Sequence, residues 1–105
     1  MFSCTVEGDP DHPVAKLSGN LSLENCRRIH AELLALLSRA DAITVDLGES
    51  EKSDLSFIQI LHALIKKTDK KIVFANLPDH LLENAARLGA HSFLIELSNR
   101  LENNA

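Results

Sequence analysis

VDLGESEKSDLSFIQIL, residues 45–61, changes character twice. Its first residues finish the run AITVDL, in which Ile43 and Val45 alternate with polar neighbours as in a β-strand. GESEKSD, residues 48–54, is polar throughout and reads as a turn. LSFIQILHALIKK then places apolar residues at helical spacing, with Asp54 before it as an N-cap. Lys66 and Lys67 suit the negative C-terminal end of that helix. Strand, polar turn and capped helix form the repeating unit of an α/β domain.

The same unit recurs on both sides. Upstream, HPVAKLSG reads as a strand closed by Gly19, and LENCRRIHAELLALLSRA follows as a helix with Ser22 as its N-cap. Leu23, Cys26, Ile29, His30, Leu33, Leu36 and Leu37 are assigned to its core stripe. MFSCTVEG alternates Phe2, Cys4 and Val6 with polar residues, and GDPDHP turns it into a hairpin with the second strand. Downstream, KKIVFANL is a continuous apolar run that reads as an interior strand. PDHLLENAARLG is a helix with Asp79 at its start and Gly89 at its stop. The tail from Ser92 onward fits either a short strand or a helix aligning Phe93, Leu97 and Leu101. The expected fold is one α/β domain over residues 1–105. It has a mixed sheet: an antiparallel N-terminal hairpin, then parallel strands joined by helices.

Bulk properties narrow the function. The chain of 105 residues is 45% hydrophobic and 25% charged, with a formal net charge of -4. Its basic residues form no long block, which argues against nucleic acid as a partner. No apolar run is long enough to insert in a membrane, and the first residues lack the features of a signal peptide. Two scattered cysteines make no disulfide framework, so the cytoplasm is the expected address.

The motifs of catalysis are missing. The four glycines, at 8, 19, 48 and 89, form no phosphate loop, and no serine sits in a G-x-S-x-G elbow. Cys26 and His30 are four apart on one helix, but zinc needs three or four ligands. Asp46, Glu49, Glu51 and Asp54 line the expected C-terminal edge of the sheet, where Mg²⁺ or a nucleotide would sit in a small enzyme. The partner residues of such a site are not evident, and a solvated acidic loop with one cap explains the cluster better. Ser56 and His62 lie six positions apart, about 600° around a helix, which separates them as nucleophile and base. No catalytic residue, cofactor or metal is therefore expected. Ser56 retains two readings: an inert first-turn residue, or a phosphorylation site whose charge the helix tolerates and a docked partner does not.

The order of motifs resembles a STAS domain, the module of anti-sigma-factor antagonists and sulfate-transporter tails. VAKLSGNLSLENCRRIHAELLALL is similar to that family's opening strand, Leu-x-Gly-x-Leu turn and long helix. In VDLGESEKSDLSFIQIL, Asp46-Leu47 falls on the strand-ending Asp-Leu, Asp54 on the signature aspartate and Ser56 on the serine that partner kinases phosphorylate. KKIVFANLPDHLLENAARLGA resembles the next strand, loop and helix. The chain departs from the Asp-Ser-Ser-Gly of kinase-controlled members, with Leu55 for the first serine and Phe57 for the glycine. Ser50, Lys52 and Ser53 stand where apolar residues are usual.

The resemblance implies a bacterial, cytoplasmic, non-catalytic signal-transduction module that binds a protein. The implied partner is a GHKL-type serine kinase acting as an anti-sigma factor, with partner switching governed by phosphorylation at Ser56. The expected contact residues are Asp54, Leu55, Ser56, Phe57 and Ile60, with monomer and weak dimer both open. The alternative is a constitutive STAS subunit of a lipid-transporter ATPase or a chemotaxis-type assembly, with Ser56 as a contact only.

Overall fold

The structure is a computed structural model that describes residues 2–87, 89, 93, 95, 99 and 100. Among the described residues five strands and three continuous helices follow in the order β1 (Phe2–Asp9), β2 (His12–Leu21), α1 (Leu23–Leu37), β3 (Ala42–Asp46), β4 (Ser50–Ser53), α2 (Leu55–Lys67), β5 (Lys71–Ala75) and α3 (Asp79–Arg87). β1 and β2 form the antiparallel hairpin, in register from Phe2↔Gly19 to Asp9↔His12. β2 pairs parallel with β3, and β3 parallel with β5. The single α/β domain with a mixed sheet is the expected one.

Register sorts the side chains. Ala15, Val45 and Phe74 share one row of the sheet, and Ile43 pairs with Ile72; all are buried. Val14, Thr44 and Val73 share the opposite face; of these three only Thr44 is buried, and Ala75 is buried farther along the same face. The Thr44 hydroxyl meets His12 Nε2 at 2.8 Å, which satisfies the buried polar group. Onto the apolar face α1 brings Cys26, Ile29, Leu33, Leu36 and Leu37, and α2 brings Phe57, Ile58, Leu61, Leu64 and Ile65.

Four expectations change. Among the described residues KKIVFANL is not an interior strand: the path β1-β2-β3-β5 puts β5 at its end and β3 inside. Its continuous apolar run reflects cover beyond the sheet, where the Phe74 N–H donates to the Arg100 carbonyl at 2.7 Å. GESEKSD is not all turn, because Ser50–Ser53 form β4, parallel to β2 at Gly19, Asn20 and Leu21. Gly19 already pairs with Phe2 on its other side, so β3 and β4 follow one another along the same edge of β2. β2 consequently runs past Gly19 to Leu21. Leu23 and His30 are exposed. At 100° per residue they lie on the side of Cys26 away from Ile29, Leu33 and Leu36, roughly 70–90° from the centre of the buried stripe, which takes them out of it. The choice between strand and helix for residues 92–104 falls mostly outside the described residues. Of those described there, Phe93, Ile95 and Asn99 are helical and Phe93 is buried.

Candidate partner-binding site

The N-termini of α1 and α2 meet at one carboxylate. Asp54 has extended backbone angles, φ -130° and ψ -176°, and its Oδ1 accepts from the Phe57 N–H at 3.2 Å as the N-cap of α2. Its Oδ2 accepts from the Leu23 N–H at 2.9 Å, at the first residue of α1. Ser22 has the backbone of a cap but makes no side-chain cap bond. Each helix start carries orphan N–H groups and a partial positive charge, so one acidic side chain serves both.

That junction sets out the expected contact residues. Leu55 is 44% exposed, and Leu23, the first residue of the neighbouring helix, is 71% exposed. Ser56 is half-buried. Together with Leu23, Cys26, Arg27 and Ile60 it lines a depression of about 480 Å³ between the two helices. Phe57 is not part of this surface: its side chain is 0% exposed and lies in the core. Ile60 is half-buried against the core rather than a protruding anchor. The apolar surplus of α2 is thus answered largely by burial. Leu23 and Arg27 were not among the expected contacts, because they belong to a helix thirty residues upstream. Leu23's offset from the centre of the apolar stripe of α1 was the available sign.

Two of the three polar departures from the family pattern, Ser50 and Ser53, have a common explanation. Ser50 Oγ lies 3.1 Å from His80 Nε2, and Ser53 Oγ 3.1 Å from His80 Nδ1. One helical turn on, Asn84 Nδ2 donates to the Ser53 carbonyl at 2.9 Å. α3 therefore holds β4 through hydrogen bonds where an apolar strand would hold by packing. The Ser50 hydroxyl donates to the Leu47 carbonyl at 2.6 Å, and the Ser50 carbonyl lies 3.3 Å from Nε2. This arrangement suits a proton on Nε2 with the Ser53 hydroxyl donating to Nδ1.

The remaining candidates do not assemble. Asp46 Oδ1 accepts from the Gly48 N–H at 2.9 Å and Asn76 Nδ2 at 3.2 Å, which fixes a loop. A Cβ at Gly48 would lie 3.0 Å from Asn76 Cβ, so glycine allows this approach. Glu49 faces Lys16 at 3.9 Å, and Glu51 is exposed. Among the described residues no three His, Cys, Asp or Glu side chains gather as a metal site. Cys26 is buried while His30 is exposed. Burial, and secondarily the charge of Asp54, pushes the Cys26 thiol up, which keeps it protonated and unreactive at neutral pH. His62 meets the Phe93 ring at a tilt of 60°, with centroids 5.8 Å apart, and is engaged there rather than with Ser56. No helix among the described residues is long and apolar enough to cross a membrane.

Several solved structures share this fold. The chain superposes on an anti-sigma factor antagonist from Mycobacterium paratuberculosis with a TM-score of 0.73, at 16% identity over 88% of this chain and 81% of that one. SpoIIAA, described as a Bacillus cell fate determinant, matches in its phosphorylated form with a TM-score of 0.69, at 12% identity over 98% and 92% of the chains. The unphosphorylated form of SpoIIAA matches with a TM-score of 0.61, at 13% identity over 72% and 74%. No curated protein matches by sequence. The family model described as "Mlab, STAS domain" matches residues 4–96, nearly the whole α/β unit built above, and the chain belongs to that STAS family.

Proposed function

We propose that this chain is a non-catalytic, cytoplasmic protein-binding module whose partner docks on the joined starts of α1 and α2, under the control of Ser56. The observation that carries the reading is the placement of Ser56. It is half-buried in the second position of α2, beside the exposed Leu23 and Leu55 and two residues from the Asp54 carboxylate. Leucines at a helix start supply apolar contact, and the serine sits where a partner would cover it.

Phosphorylation adds about -1.5 to -2 charges. The positive helix end accommodates that charge, while a partner closing over it would desolvate it beside Asp54. Support for the partner's class comes from the fold, shared with proteins described as anti-sigma factor antagonists. A bacterial GHKL-type serine kinase serving as anti-sigma factor is the partner that fits, and ATP belongs to that kinase. With Phe57 in the core, Leu23 takes its place among the expected contacts, alongside Asp54, Leu55, Ser56 and Ile60.

The test compares two variants in the native host. Ser56→Asp is expected to weaken the co-purifying partner at least tenfold, about 1.4 kcal/mol, while Ser56→Ala retains it. Equal retention by both variants would remove Ser56 as a switch and make the chain a constitutive subunit.

A further inference from the structure

The depression that holds Ser56 is the first half of a longer groove. A second depression, of about 510 Å³, continues between the later turns of α1 and α2 and meets the first at His30 and Ala63. Both helices start at Asp54, and both line the depressions from their first to their last turns, so the groove follows them along their length. α1 has 15 residues, giving a length of about 22 Å. Arg27, His30 and Leu34 of α1 face Ile60, Ala63 and Lys67 of α2 across it. These positions recur every three or four residues on both helices, the spacing with which a third helix packs into a groove. Leu34 is 46% exposed, and Ala63 at the centre is exposed and small, which permits close approach.

Charge selects the occupant. The groove lining carries Arg27, Lys67 and Lys70 against Asp69, although the whole chain has a net charge of -4. Lys70 is partly engaged by Asp41 at 3.4 Å, whereas Arg27 and Lys67 are exposed, one on each helix. We infer that the groove between α1 and α2 docks an acidic amphipathic helix of a protein partner. Its apolar stripe would seat on Leu34 and Ala63, and its carboxylates would meet Arg27 and Lys67. The inference rests on the reading of the chain as a protein-binding module and names the element that the partner offers. It requires nothing of Ser56.

Two synthetic amphipathic helices of about 18 residues, with the same leucine stripe, provide the probe. One carries glutamates beside the stripe and the other lysines. In NMR titrations of the full chain, the glutamate peptide is expected to shift amides along both groove walls, and the lysine peptide is not. Arg27→Glu with Lys67→Glu should weaken the glutamate peptide at least tenfold and admit the lysine peptide. Both substitutions are at exposed positions, and the unshifted core amides report that the fold is intact. Leu34→Asp should weaken both pairings.

Several results would overturn the inference: no shift with either peptide, equal response to both, or shifts confined to another face. So would groove shifts that depend only on protein concentration, which would assign the surface to a second copy of the chain. Ser56→Asp enters the same titration. The groove stands or falls on the Arg27 and Lys67 variants, and the phosphorylation reading on Ser56→Asp in the host.

Discussion

The starts of α1 and α2 look alike in sequence and differ in construction. Each has a short polar residue before a leucine, Ser22-Leu23 and Asp54-Leu55, and each pair reads as cap and first helical residue. At α2 the local reading holds, with Asp54 accepting from Phe57 three residues on. At α1 the capping oxygen comes from thirty-one residues away, the same Asp54. A cap requires only an acceptor at the right place, and a carboxylate has two oxygens to divide. Two helices that begin at one point can therefore share one residue, and Asp54 joins them.

The largest effect expected in this region comes from below it. Phe57→Ala should lower unfolding free energy by about 3–5 kcal/mol, the usual cost of emptying a buried Phe site. Denaturant titration reads the loss directly. A loss under about 1 kcal/mol would mean that Phe57 is not held in the core and would reopen its role as a docking residue.

Next come the two caps. Asp54→Ala should cost about 2 kcal/mol, roughly one cap's contribution at each helix, and Ser22→Ala less than about 0.5 kcal/mol. Equal losses at the two positions would break the comparison. Hydrogen exchange adds a signature, since Asp54→Ala should speed exchange of the Leu23 and Phe57 amides together.

β4 offers a second contrast, a strand held by polar contacts beside helices held by apolar ones. His80→Ala should cost about 1–2 kcal/mol, as the Ser50 and Ser53 hydroxyls lose their shared partner. The change should appear first as faster amide exchange over residues 50–53. If protection there is unchanged, the pairing with β2 alone holds the strand.

The smallest expected effect tests the reach of Asp54. Its charge is the secondary cause that raises the Cys26 thiol, after burial. Removing that charge with Asp54→Asn favours the thiolate, so alkylation of Cys26 at fixed mildly alkaline pH should accelerate modestly. Full denaturation should accelerate it far more. No difference between wild type and Asp54→Asn would leave burial as the sole cause.

Most elements were legible because their cause is local. Alternation in β1 and β3, helical spacing in α1 and α2, and the turn residues around Pro10 each follow from which face must leave water. The segment Ser50–Ser53 escaped because nothing in it is apolar. It is a strand on account of the free edge of β2 at Gly19–Leu21 and the ring of His80, neither of which is near in sequence. β5 misled for the converse reason: burial on both faces says nothing about whether a strand has two neighbours.

For the site, Asp54, Leu55, Ser56 and Ile60 were placed together by their own helix. Phe57 left the group because successive residues on a helix turn by about 100°, which directs it inward beside an outward Leu55. By itself, then, the sequence determined the order of strands and helices apart from β4, most of the apolar set that builds the core and the capped start of α2. All of these depend on residues within a turn or two of one another. Only the tertiary structure decided that Asp54 also caps α1, that a polar stretch would become β4, and that Leu23 and Arg27 would stand beside Ser56. Each of those needs two distant segments brought within hydrogen-bond or contact distance, and that proximity arises when the helices dock on the sheet.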